Sequence, residues 1–154
     1  MVTIRKILCP TDFSEPSEAA WTFALSLGEQ YGAEVVLLHV VADPVRSPVA
    51  YELGYTPERV LKAVTDEAER LLADTAAKAA DRKVKVLPRL RRGVEFREIN
   101  AAATEEGADL IVMGTHGHTG LAHLLIGSVA EKVVRTAPCP VLTVRHPTMR
   151  LEAA

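Results

Sequence analysis

The run Asp109-Leu110-Ile111-Val112-Met113-Gly114-Thr115-His116-Gly117-His118-Thr119-Gly120 leads through Leu121-Ala122-His123-Leu124-Leu125-Ile126 to Gly127-Ser128-Val129. An apolar stretch of strand length passes into a loop with glycines at 114, 117, 120 and 127, and then into a helix from about Ser128 to Thr136. Glycine lets such a loop take positive φ and brings its backbone close to a ligand. Successive N–H groups then form an anion-binding concavity, and the helix that opens at Gly127-Ser128 adds free N–H groups and a favourable dipole. A strand, a phosphate-type loop and a helix in that order belong to an open α/β sheet.

The rest of the chain alternates strand and helix around this unit. Residues 3–9 form a β-rich run that Pro10-Thr11-Asp12 stops. Ser14 caps a first helix whose first turn tolerates Pro16, and Gly32 ends it. Its apolar face is read as Ala20, Phe23, Ala24, Leu27 and Tyr31, with Trp21 one step off and half buried. Val35 to Val41 is continuously apolar, as in a strand covered on both faces. Residues 43–55 make the longest irregular stretch and a candidate lid.

Thr56-Pro57 opens a second helix, expected to reach about Arg82 with Val60, Val64, Ala68, Leu71, Thr75 and Ala79 on one face. Lys83 to Leu90 reads as a third strand, and Pro88 places it at an edge. Gly93 precedes a short helix with Phe96, Ile99, Ala102 and Ala103 inward, closed by Gly107. The final strand is Pro140 to Val144. Five strands alternating with four helices predict one doubly wound parallel α/β sheet with helices on both faces. Residues 1–146 would form a nucleotide-binding domain, and 147–154 a short flexible tail. If strand order reverses beside the first strand, a ligand crevice opens at the carboxyl ends of strands one and four. Pro10-Thr11-Asp12 and the loop from Gly114 leave those two ends.

The bulk numbers exclude several classes. The chain has 154 residues, 48% of them hydrophobic and 25% charged, with net charge -2. No overall basic field draws it to nucleic acid or acidic lipid, so an anionic ligand must be held by local geometry. The cluster Arg89, Arg91 and Arg92 lacks aromatic interleaving and reads as a solvated strand end. No apolar run approaches the roughly 20 residues of a membrane span, and Met1 to Leu8 does not read as a secretory signal. Cys9 and Cys139 belong to separate predicted strands and form neither a disulfide framework nor a zinc pattern. They read as small buried hydrophobes, and the chain as cytoplasmic.

No Gly-Lys-Ser or Gly-Lys-Thr occurs, and no lysine lies between Gly107 and Glu131. Phosphate charge must be offset by backbone N–H groups, the helix end and a divalent cation, magnesium or manganese. That suits binding better than fast phosphoryl transfer. Asp12 faces the expected crevice as a ribose or metal ligand, although an aspartate there also suits a turn. His116 and His118 read as exposed loop histidines without a third metal ligand nearby, and His123 as surface or loop packing. Ser128 stands three residues before Glu131, the spacing of a capping box. Its hydroxyl serves either the helix or a ligand, and the pair does not choose between them.

Gly114-x2-Gly117-x9-Gly127-Ser128 resembles the nucleotide-binding signature of the universal stress protein family. The opening Ile7 to Ser14, the strand ending His39-Val40 and the closing Ala137-Pro138-Cys139-Pro140-Val141-Leu142 resemble that family too. The likeness covers about residues 3–145. It implies strand order 3-2-1-4-5, a homodimer through the last strand, and membership of the subgroup that binds ATP. It also implies that Pro10, Thr11 and Asp12 line the adenine and ribose end, and that Val40 offers its backbone to adenine. Met113, Gly114, His116, Gly117, Gly127, Ser128 and Val129 would surround ribose and phosphates. The function so implied is that of an ATP-binding regulatory protein of the stress response, working through nucleotide-dependent conformation or dimer state. The alternative is a slow ATPase or nucleotidyl-transferring enzyme in the same crevice. A phospho-receiver domain fits worse, because Asp12 has no acidic neighbour before Glu15 and Arg145-His146 stands where a lysine is wanted.

Overall fold

The computed structural model describes residues 1–43, 52–116 and 126–146. Its first strand, β1 (Lys6–Pro10), is followed by α1 (Glu15–Tyr31), β2 (Glu34–Val41) and α2 (Pro57–Ala77). Then come β3 (Val86–Arg92), α3 (Glu95–Glu106), β4 (Leu110–Gly114), α4 (Ser128–Thr136) and β5 (Val141–Val144). The five strands form one parallel sheet in the order β3-β2-β1-β4-β5. Most of the candidate lid, residues 44–51, and the tail 147–154 lie outside the described residues.

Alternate residues of the central strands feed two cores. Ile7, Cys9, Val35, Leu37 and Val112 pack with Ala20, Trp21, Ala24 and Leu25 of α1 and with Leu72 of α2. Leu8, Val36, Leu38, Ile111 and Met113 face the other way, against Ile99, Ala102 and Ala103 of α3 and Ala130 and Val133 of α4. Burial on both faces is the reason β1, β2 and β4 carry almost unbroken apolar runs. Each fully buried aliphatic side chain contributes about 1.5–3 kcal/mol of transfer free energy.

The α1 face differs from the predicted one. Phe23 and Tyr31 are 49% and 53% exposed, while Trp21 is only 6% exposed. The buried stripe is Ser17, Ala20, Trp21, Ala24, Leu25 and Gly28, whose small members let the helix lie close to the sheet. Ser14 caps α1 and Gly32 closes it at φ 65°, as expected.

The helix α2 stops at Ala77, short of Arg82. Bonds from Ala79, Ala80 and Arg82 to carbonyls three residues back tighten the chain there and carry Ala79 into the core. Val64, on its predicted inner face, is exposed.

The strand β3 is displaced toward the C-terminus of the predicted segment because its partner sets its length. Val86 to Arg92 pair one for one with Val35 to Val41. It is an edge strand, and the bonds Val35 N–H to Lys85 O and Gly93 N–H to Val41 O turn odd-numbered β3 positions toward β2. Pro88 therefore points its missing donor away from the sheet. Its arginines are paired with acids: Arg89 with Glu106, Arg91 with Glu98 and Glu105, Arg92 with Asp43. The other boundaries move by a few residues: β1 starts at Lys6, β4 covers 110–114, and Cys139 precedes β5 in a bend.

Candidate functional site

The order in which strands are added reverses between the parallel neighbours β1 and β4, so the connections leaving them run to opposite sides of the sheet. A cleft of about 470 Å³ lies there. Pro10, Thr11, Asp12, Val40, Met113, Gly114, His116, Gly127, Ser128 and Val129 all line it. Every expected site residue except Gly117 is thus brought together. Gly117, like His118, Gly120 and His123, lies outside the described residues.

The β1 end of the cleft is built by short polar bonds. Thr11 N–H donates to Leu38 O at 2.8 Å, extending the β1–β2 ladder by one step. Its hydroxyl lies 3.1 Å from that of Ser17 and accepts from Phe13 N–H at 3.0 Å. The Asp12 carboxylate accepts from Ser14 N–H at 3.1 Å and from the Ser14 hydroxyl. Asp12 thus organises the turn that caps α1 while lining the cleft, so its turn role and its place on the cleft wall coexist. Phe13 sits at φ 62°, a left-handed conformation that costs a non-glycine residue about 1 kcal/mol or more. Its ring lies 4.7 Å from that of His39, whose Nδ1 is 2.7 Å from Thr11 O.

Val40 presents backbone, as the ladder pattern shows. Glu34 N–H donates to Arg5 O and Thr11 N–H to Leu38 O, so even-numbered β2 positions face β1. Val35, by contrast, bonds toward β3. Val40 is the next even position, and β1 has ended at Pro10, opposite Leu38. Among the described residues no hydrogen bond joins Val40 to the chain beyond Pro10. Its N–H and C=O open side by side into the cleft.

The facing wall is the start of α4. Gly127 is its N-cap, no side chain caps it, and the first helical bond to Gly127 O comes from Glu131 N–H at 2.9 Å. The N–H groups of Ser128, Val129 and Ala130 are left without helical acceptors. The capping box at Ser128 is not formed, because Ser128 is the first helical residue and not the cap. Its hydroxyl is on the cleft wall and exposed.

Gly114 and Gly127 are glycines for a different reason from the predicted one. Neither has positive φ. A Cβ on Gly114 would lie 3.0 Å from Pro16 O, and one on Gly127 would lie 3.0 Å from Thr115 O. Close backbone packing demands them. His116 also departs from expectation: it is 8% exposed, with Nδ1 3.0 Å from the Thr115 hydroxyl. Cys9 is fully buried and its thiol is pushed up to about 12, so it stays neutral and structural.

The sequence reading did not place Ser17, His39, Glu95 or Thr115 in the site, yet each lines it. Thr115 and His39 adjoin named residues at strand ends, which was the available signal. Glu95 opens the helix after β3 and carries no motif. Lysine and arginine are absent from the described lining. Among the described residues no cluster of three or more His, Cys, Asp or Glu could hold a metal. A divalent cation carried on phosphates would need few protein ligands, and Asp12 lines the cleft where it could serve as one.

Fold and cleft define a doubly wound α/β domain with its pocket at the topological switch point. The family model described as "Universal stress protein family" matches residues 3–145, and the chain belongs to that family. It is 37% identical over 143 residues to universal stress protein MJ0531 of Methanocaldococcus jannaschii, covering 93% of this chain and 83% of that one. The structure of universal stress protein UspA from Lactobacillus plantarum superposes with a TM-score of 0.83 at 25% identity, covering 94% of this chain and all of that one. Two more distant structures share the fold. A universal stress protein in complex with cAMP has a TM-score of 0.67 at 24% identity, covering 94% and 99% of the two chains. One from Archaeoglobus fulgidus in complex with dAMP has a TM-score of 0.64 at 20% identity, covering 93% and 98%. No described helix is long and apolar enough to cross a membrane.

Proposed function

We propose that this chain is an ATP-binding regulatory protein of the stress response, whose output is a nucleotide-dependent conformation or dimer state. The observation that carries this reading is the pairing, across one cleft, of the open Val40 N–H and C=O with the uncapped first turn of α4. A backbone donor and acceptor side by side match the N1 and 6-amino edge of adenine. A helix N-terminus matches phosphate. The 470 Å³ volume is within the 300–1,000 Å³ range of small-molecule sites.

In this reading Pro10, Thr11 and Asp12 hold the base and ribose, with Met113, Gly114 and His116 beneath them. Gly117, Gly127, Ser128 and Val129 take the phosphates. Magnesium or manganese travels with the triphosphate and meets Asp12, replacing the missing lysine as the source of positive charge. The chain would pair with a second copy along β5, whose outer edge bears no strand among the described residues.

Calorimetric titration with ATP, ADP, AMP and cAMP, with magnesium or manganese present, tests the proposal. ATP is expected to bind best, and its co-purification is expected in mass spectra of the freshly isolated protein. Absence of heat with every adenine nucleotide would overturn the reading.

A further inference from the structure

We infer that Glu95 is a base-selecting residue, whose carboxylate accepts the second amino proton of a 6-aminopurine held at Val40. This rests on the nucleotide reading above and deepens it. The helix α3 carries four glutamates, and three are engaged. Glu98 and Glu105 bind Arg91, whose hydrogen bond lowers the Glu105 carboxyl from its usual range, and Glu106 binds Lys6 and Arg89. Glu95 makes no ion pair and no hydrogen bond with the described residues, and it is the one of the four that lines the cleft.

Glu95 borders the β2–β3 side of the cleft, although it also shares a shallow neighbouring pocket with Val129 and Lys132 of α4. It stands in the first turn of α3, just past the carboxyl end of β3, and β3 runs beside β2 so that Arg91 pairs with Val40. Ile99, one turn further along α3, lines the same cleft and offers an apolar wall. Val40 can satisfy N1 and one amino proton of a 6-aminopurine. The other amino proton points toward N7 and needs a second acceptor. A carboxylate is acceptor only, so it rewards an amino group at C6 and opposes the carbonyl of a 6-oxopurine.

Calorimetry with ATP and ITP, which differ at C6 and N1, on the parent, Glu95→Ala and Glu95→Gln proteins tests this. The parent should prefer ATP. Glu95→Ala should weaken ATP about tenfold, the size of one charge-assisted hydrogen bond, while leaving ITP unchanged or tighter. Glu95→Gln, which can donate as well as accept, should narrow the preference further by improving ITP. Equal weakening of both nucleotides would assign Glu95 to the ribose. Equal tightening would make it a repulsive charge near phosphate, and no change would make it a helix-end acid. Each of these three results overturns the inference. If the parent protein binds neither nucleotide, the nucleotide reading itself fails, which is a separate outcome.

Discussion

Gly127 N–H donates to Thr115 O at 2.6 Å, and a Cβ on Gly127 would meet that same oxygen at 3.0 Å. The bond ties the cap of α4 to the residue that follows β4. It holds the helix N-terminus against the cleft, and it leaves no room for a side chain. Neither atom of the contact belongs to a flexible group, so the backbone must move to admit one.

Gly127→Ala is therefore expected to cost about 1–3 kcal/mol, the range for overpacking a tight site. For a chain of this size that lowers the melting temperature by roughly 2–4 °C per kcal/mol. ATP affinity should fall with it, because α4 is pushed from the cleft. Thermal melting and calorimetry on the same variant check both. An unchanged melting temperature would mean that the loop yields freely at this point.

Ser128→Ala separates the two roles that its hydroxyl could have. The structure gives it no capping bond and leaves it exposed on the cleft wall. The substitution is expected to change stability by less than about 0.5 kcal/mol, as for surface positions without a special role. ATP binding should weaken about fivefold to tenfold through loss of one hydrogen bond to phosphate. A loss of stability near 1 kcal/mol with unchanged ATP affinity would return the residue to capping.

The fold was legible because strand and helix periodicities differ sharply along this chain, and because several family motifs recur in order. What failed needed three dimensions. Ala20 and Ala24 are compatible with two helical stripes, one through Phe23 and Leu27 and one through Trp21 and Leu25. Only the distance from α1 to the sheet chooses the second. The extent of β3 was hidden because Val35 to Val41 of its partner decides which residues pair. The glycine loop was recognised as important, but positive φ was the wrong reason for Gly114 and Gly127. Sequence spacing shows that a side chain is excluded and does not show what excludes it. Glu95 carries no signal in the sequence, because an acid in the first turn of a helix ordinarily answers the helix dipole.

Burial makes Cys9 a reporter of folding at alkaline pH. Its thiol ordinarily titrates near 9.0 and is pushed up to about 12 in the fold. Between these values the unfolded chain releases a proton that the native state keeps. The stability present below pH 9 is then lost as pH rises, by up to roughly 1.4 kcal/mol per unit. Cys9→Ala should be less stable than the parent at pH 7 because of its smaller side chain, and the gap should shrink between pH 9 and 10.5. Denaturant titrations of both proteins across that range measure it. In native protein Cys9 should also resist a thiol reagent at pH 8 and react once the chain is unfolded. Parallel pH profiles would contradict the buried neutral thiol.

The β5 edge gives a test of the proposed homodimer that spares the monomer. Ile111 N–H donates to Pro140 O and Thr115 N–H to Val144 O, so even-numbered positions of this strand turn toward β4. Val141 and Thr143 then direct their backbone groups outward, where a second copy would pair. Proline at an outward position of an edge strand removes one external donor and breaks no bond to β4. Thr143→Pro is expected to shift the solution mass from twice the chain mass to the chain mass in light scattering. Its melting temperature measured at low concentration should change little, since the parent also dissociates there. If the parent is a dimer and the variant remains one, the contact lies on another surface. The exposed Phe23 and Tyr31 of α1 would be the next residues to replace.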